Sequence, residues 1–380
     1  MNDTPNLKPA SQRIPRLPAI DAMRGIVMVL MVIDHASHAF NAGRYVTDST
    51  SWYRPGSEIP VAQFLTRWVT HLCAPTFLFL AGFALVLSVA RRQALGERER
   101  SIDRDILLRG IFILLLDPLW MRFGFGEGII LQVLYAIGAS LCCMVPLRRF
   151  GMRGLLAIGL GIILFGEILA GLAVWFGGGQ QPGPTGALLI TGLRRVSGAF
   201  VLYPLLPWLA YMILGWVCAK QMLRHDAFKP VRFFSMAGAV SLSVFFIARG
   251  FNQYGNMRLY RYDNSILQWL HVSKYPPALS FAALELGLMF LMLAFLFGWY
   301  RSRKASPVNP LLVFGRTSLF FYVIHVHLLA ASAWILNLYQ AGGLIETYIA
   351  TVAELMVLYP LCRWYGRMKH SNPGSLLHYL

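Results

Sequence analysis

The 380 residues are 57% hydrophobic and 13% charged, with mean hydropathy +0.55 and formal net charge +17. That balance excludes a soluble globule and describes an integral membrane protein whose length is mostly spent on spans. A net charge of +17 in a soluble chain would suggest nucleic acid; in a polytopic chain it reflects Lys and Arg gathered in loops on one side, so no nucleic-acid partner is expected.

Residues 1–18 form a polar tail carrying Lys8, Arg13 and Arg16. The first apolar run, 20–40, reads IDAMRGIVMVLMVIDHASHAF and is long enough to cross a bilayer. A polar loop follows over 41–66, then predicted spans at 68–90, 106–123, 129–145, 155–176, 199–222, 233–249, 278–300, 311–336 and 344–365. Pro204 and Pro207 weaken the expectation of straight helix between 202 and 208. The fold class expected is all-α, a polytopic helical bundle of about ten transmembrane helices. One transmembrane domain, 19–369, lies between an N-terminal tail and a C-terminal tail over 370–380.

Positive charge sets the expected orientation. Lys8, Arg13 and Arg16, the cluster from Arg91 to Arg104, Arg148, Arg149 and Arg153, and Arg363, Arg367 and Lys369 all fall on one side of the alternating spans. Both termini are therefore expected in the cytoplasm. The five cysteines all lie in predicted spans without a CxxC pair, which argues against a disulfide framework or a metal site. The first span is too long and too charged for a cleavable signal segment.

Ionisable groups inside a span are costly and mark a pathway or a site. The first span holds Asp21, Arg24, Asp34, His35 and His38. Steps of three and four place Arg24, Met28, Met31, His35 and His38 on one stripe. At 1.5 Å per residue, Arg24 and His35 stand about 16 Å apart along the axis, half the hydrocarbon thickness. Asp21 and Arg24 read either as a structural pair at the membrane boundary or, with Arg109 and Arg316 at the same depth, as a receptor for a pyrophosphate. Asp34, His35 and His38 read as catalytic: an imidazole takes a proton from an attacking hydroxyl or amine, and a carboxylate orients it. Asp34 and His35 point about 100° apart, whereas Asp34 and His38 are spaced to pair.

Arg67 and His71 are also four apart, at the outer end of the second span, and read equally as an interfacial anchor or as a wall of an outward-facing site. Pro75 is expected to kink that helix and Gly82 to permit close packing. His325 and His327 point to opposite sides of the ninth span, so at most one faces a site. Lys274 and Tyr275, before Pro276 and Pro277, are candidates for the outer mouth. The sequence contains no P-loop, GxSxG, HExxH or paired-carboxylate pattern.

RLPAIDAMRGIVMVLMVIDH, TRWVTHLCAPTFLFLAGFALVLSVARR, YPLLPWLAYMILGW, KYPPALSF and FGRTSLFFYVIH resemble bacterial proteins of the heparan-alpha-glucosaminide N-acetyltransferase catalytic-domain family. The resemblance covers most of the chain, and the first helix is its most specific part. It implies a transmembrane acyltransferase that carries an acetyl group from cytoplasmic acetyl-CoA onto a sugar amine on the far side. It also implies a histidine in the transfer, and the corresponding region here supplies His35 or His38.

The reading is a bacterial inner-membrane acyltransferase with acetyl-CoA as donor, a sugar or glycan as acceptor, and no metal. Its partners are the lipid bilayer and these two substrates, with a homodimer an admissible assembly. Arg24, Arg109, Arg316 and Asp21 receive the donor, and His35 acts as base or acyl carrier. Asp34, His38 and His71 assist, while Arg67, Lys274, Tyr275 and His325 line the acceptor side. The alternative is a proton-coupled secondary transporter using the same Asp, His and Arg groups.

Overall fold

The computed structural model describes residues 17–125, 128–225 and 227–371. Almost all of both expected tails, residues 1–16 and 372–380, lies outside the described residues.

The first helix, α1 (Pro18–Phe40), starts where Pro18 occupies the first turn and needs no N–H partner. It stops at Asn41, whose backbone is extended and whose N–H donates to Ser37 O. The second predicted span begins earlier than expected: α2 (Val61–Trp68), a 3₁₀ turn over Val69–Leu72, and α3 (Cys73–Ala94). Pro75 has no N–H to offer the carbonyl of His71, and the 3₁₀ turn lies over that missing bond. The third comprises α4 (Glu99–Leu116), a π turn over Asp117–Met121 with Pro118 near its start, and α5 (Arg122–Phe125).

Two-residue β1 (Ile130–Leu131) precedes α6 (Val133–Leu147). The predicted fifth span is two helices, α7 (Met152–Leu164) and α8 (Gly166–Phe176), bent by 66°. A short turn, α9 (Pro184–Gly186), leads to β2 (Arg194–Val196) and β3 (Ala199–Val201). The strands form a small sheet in the order β1-β3-β2, with β1 parallel and β2 antiparallel to β3. This small sheet sits within a mostly helical fold, and it corrects the expectation of helix from residue 199: Pro204 and the glycines before it delay helix α10 (Leu205–Arg224).

After α11 (Pro230–Phe251) comes a long loop carrying α12 (Ile266–Leu270), then α13 (Leu279–Trp299). The predicted ninth span is divided at Thr317 into α14 (Pro310–Arg316) and α15 (Ser318–Ile335), and α16 (Leu344–Ser371) closes the chain.

The protein is mostly helical, and among the described residues five helices are long and apolar enough to cross a membrane, or six when α7 and α8 are taken as one span. In α11 and α16 only 22% of the apolar window is buried, against 72% in α13. Phe246, Phe251, Ile349 and Met356 therefore stand on outward faces that lipid rather than water must cover.

α1 is the central post, touching α2, α3 and α13 through α16. Its approach to α14 is backbone on backbone: a β-carbon at Gly25 would overlap the Leu311 carbonyl, and one at Gly315 the Asp21 carbonyl. Gly82 and Gly215 allow the same closeness between α3 and α10, against the carbonyls of Met212 and Phe79.

Candidate functional site

The stripe on α1 lines two cavities. Met31, His35 and His38 face one of about 470 Å³, whereas Arg24 and Met28 face a second of about 860 Å³. We call them the histidine chamber and the arginine chamber.

In the arginine chamber the three arginines expected to converge do so. Arg24 from α1, Arg109 from α4 and Arg316 at the end of α14 line it, joined by Arg91, Arg92 and Lys369. Two carboxylates also line it, Glu97 and Asp105, and both are held by Arg92 at 2.6 Å. Asp21, expected beside the donor site, is not among the lining residues; it ties Arg316 at 3.3 Å and Arg24 at 3.9 Å. Arg24 also donates to Leu80 O. Arg91, Arg109 and Lys369 have no ion-pair partner among the described residues. The chamber therefore presents a surplus of cations without assigned counter-charges, a setting for a polyanion.

The histidine chamber is wired differently. Arg67 Nη1 donates to both oxygens of Asp34 at 2.6 and 2.7 Å, and its Nη2 donates to Asp48 Oδ2 at 2.8 Å. Arg44 donates to Asp34 Oδ1 at 2.9 Å and to His38 Nδ1 at 3.2 Å. Asp34 is thus paired with two arginines, Arg67 from α2 and Arg44 from the loop after α1, through charge-assisted bonds stronger than those a neutral imidazole makes. Both Arg44 and Asp48 lie in the loop after α1, where no periodicity or motif marks them.

His71, expected to assist catalysis, meets Asp48 rather than the chamber itself. It is buried, does not line the chamber, and lies behind it with Nε2 at 3.2 Å from Asp48 Oδ2. Burial alone would raise the Asp48 carboxyl, but Arg67 and the hydrogen bond from His71 outweigh it and hold the group well below the usual carboxylate range. Asp48 thus contributes stability that is present above its unfolded pKa and is lost as pH falls through its folded value.

Lys274 and Tyr275 do line the chamber. Their backbone N–H groups donate to Asp48 O, and the Tyr275 hydroxyl reaches Tyr203 at 3.3 Å. Their loop is folded around Arg249, a fully buried residue in the last turn of α11. Arg249 donates to the carbonyls of Leu259, Gln268 and His271, satisfying backbone that has no ladder of its own.

His35 is the hinge of the arrangement. Its Nδ1 lies 2.7 Å from His325 Nε2. His325 Nδ1 lies 2.7 Å from Tyr322 O and 3.1 Å from Phe321 O, and carbonyls only accept. So Nδ1 of His325 carries the proton and its Nε2 holds a lone pair. His35 must then donate from Nδ1, which leaves the lone pair on His35 Nε2. That atom has no hydrogen-bond partner among the described residues, and His35 lines the chamber beside Phe125 and Tyr322. His325, expected to line the acceptor side, is buried, does not line the chamber and meets it through His35. His327 turns the other way, onto Trp120, as its spacing required.

Among the described residues no group of three or more His, Cys, Asp or Glu is placed to hold a metal ion. The profile of the family described as "Heparan-alpha-glucosaminide N-acetyltransferase, catalytic" matches residues 16–249, which include α1, the Asp34–Arg67–Asp48 network and Arg109. No curated protein matches the chain.

Proposed function

The chain belongs to the heparan-alpha-glucosaminide N-acetyltransferase catalytic-domain family, and from that premise we propose that it is a membrane-bound acyltransferase that moves an acetyl group from cytoplasmic acetyl-CoA to an amine or hydroxyl of a sugar or glycan on the outer side. The observation that carries the reading is the oriented lone pair on His35 Nε2 in one chamber, with a cation-rich chamber at the other end of the same helix. In this reading about ten helices cross the membrane, both termini are cytoplasmic, and the arginine chamber opens to the cytoplasm. The membrane is a bacterial plasma membrane.

The residues fit the donor. Arg24, Arg109 and Arg316 offer guanidinium forks to phosphate oxygens, with Arg91 and Lys369 as further positive charge. The pantetheine arm then reaches along the Arg24–His35 stripe, a rise of about 16 Å. An acceptor amine enters the histidine chamber, and its nitrogen attacks the thioester carbonyl carbon. His35 Nε2 takes the amine proton as the carbon–nitrogen bond forms. The carbon–sulfur bond then breaks, and the imidazolium returns that proton to the departing thiolate. The same lone pair can instead attack the carbonyl carbon itself, expelling the thiolate and holding the acyl group until the acceptor takes it. His325 fixes the tautomer in either route, and Asp34, Arg44 and Arg67 keep the surrounding charge balanced.

The test uses purified full-length protein in detergent, with acetyl-CoA binding and acetyl transfer or hydrolysis measured separately. His35→Ala should lose turnover by about 10²–10⁴-fold and keep binding; Arg24→Ala should weaken binding. Wild-type protein that binds no acetyl-CoA, or that carries proton-coupled flux in vesicles free of any CoA ester, would overturn the proposal.

A further inference from the structure

The two chambers share three lining residues: Phe77 of α3, Val133 at the start of α6 and Tyr322 of α15. Each helix passes from one chamber to the other at that level. On α3, Cys73 and Ala74 face the histidine chamber and Ala81 the arginine chamber; on α1, Met31 and Met28 divide in the same way. Phe77, Val133 and Tyr322 therefore form a collar where the chambers meet. The collar lies one ring from the base, since the Tyr322 and His35 rings are edge to face at 6.2 Å.

The collar is also braced. The N–H groups of Gln132 and Tyr135, on either side of Val133, donate to the buried Asp117 carboxylate at 2.8 and 2.7 Å. The Tyr322 carbonyl is held by His325. Phe77 lies in the second turn of α3, two residues after Pro75. Two aromatic rings and a β-branched side chain, all carried on helices, line the space where the chambers adjoin.

We propose that this collar determines which acyl group the protein transfers: it passes a narrow, unbranched acyl group such as acetyl and stops one branched at the α-carbon. The inference rests on the acyltransferase reading above and deepens it. A donor entering through the arginine chamber leads with its acyl group, so that group must clear the collar before its carbonyl carbon meets His35. A linear acyl chain has the cross-section of the cysteamine segment that follows it. An α-branched one is wider by a methyl group at the point where Phe77, Val133 and Tyr322 close in. One methyl's worth of misfit in an apolar opening corresponds to discrimination of about tenfold or more.

The experiment compares acetyl-CoA with isobutyryl-CoA on wild-type protein and on widened and narrowed collars. Phe77→Ala and Val133→Ala should each shrink the acetyl-over-isobutyryl ratio of kcat/KM by about tenfold. Val133→Phe should block turnover of both esters while acetyl-CoA binding persists, because the arginines and lysine of the arginine chamber are unchanged. Phe77→Leu controls for folding and should give an intermediate ratio. A ratio unchanged in both widened variants, with wild-type turnover intact, overturns the collar alone. Absence of acetyl-CoA turnover in wild type overturns the acyltransferase reading and the collar's role with it. Independently of turnover, a membrane-impermeant methanethiosulfonate applied from the arginine side should label Cys73 faster in Phe77→Ala than in wild type, in a background with the other four cysteines replaced. Equal rates would contradict a barrier at Phe77.

Discussion

The two chambers are built from the same residue types and used in opposite ways. In the histidine chamber Asp34 and Asp48 are each bonded to arginine, and Arg67 joins them into one buried network. In the arginine chamber both lining carboxylates are absorbed by Arg92, Asp21 is shared by Arg24 and Arg316, and Arg91, Arg109 and Lys369 have no ion-pair partner among the described residues. Charge that is paired inside the protein costs no reorganisation when a reaction occurs beside it. Charge left open at a mouth is available for a ligand's own anions. On the proposed reading, the contrast gives fixed geometry to one end of α1 and ligand binding to the other, and it can be broken from either side.

The largest effect is expected at the pairing itself. Arg67→Met removes the shared partner of two buried carboxylates and should destabilise the fold by about 3–5 kcal/mol, because Asp48 loses its arginine and Asp34 keeps only Arg44. Adding Asp34→Asn and Asp48→Asn should restore much of that loss in thermal unfolding of the detergent-purified protein. If Arg67→Met unfolds at the wild-type temperature, the histidine chamber is not held by its charges.

Next come the cations of the arginine chamber, Arg109 without an ion-pair partner among the described residues and Arg316 tied to Asp21. Arg109→Ala and Arg316→Ala should each weaken acetyl-CoA binding by about 1.5–3 kcal/mol, leave the rate at saturating donor close to wild type, and change the unfolding temperature little. Binding should also weaken as salt rises. A fall in saturated rate with unchanged affinity would place these arginines in the chemistry and erase the distinction between the chambers.

The smallest effect sharpens the meaning of a paired charge. Arg149 bonds Asp103 at 2.6 Å, yet its side chain is 67% exposed, against 9% for Arg67. Arg149→Ala should cost about 0–1 kcal/mol in the same unfolding assay. A cost as large as that at Arg67 would show that burial is not what separates the two.

Part of this was legible from residue spacing. The stripe Arg24, Met28, Met31, His35, His38 follows from 3.6 residues per turn, and it lines both chambers in the structure. The opposed directions of His325 and His327 follow from the same geometry. Gly82 at a close helix crossing was marked by its residue type, although its partner on α10 was not. The arginine partners of Asp34 were not legible because spacing ranks only neighbours on one helix; Arg67 comes from α2 and Arg44 from the following loop. His71 shares a helical spacing with Arg67 but turns behind the chamber at the 3₁₀ turn, where the period changes.

Composition and periodicity by themselves determined that this is a helical membrane protein and which face of α1 carries the ionisable groups. Those properties are local, set by apolar content and the pitch of one helix. Only the tertiary structure decided which nitrogen of His35 holds the lone pair, that Asp48 and Arg249 are structural anchors, and that Phe77, Val133 and Tyr322 meet at one level. Each of these depends on residues far apart in the chain being brought into contact, as with His35 and His325, 290 residues apart. Such contacts are set by helix packing, which the pattern along any single helix does not encode.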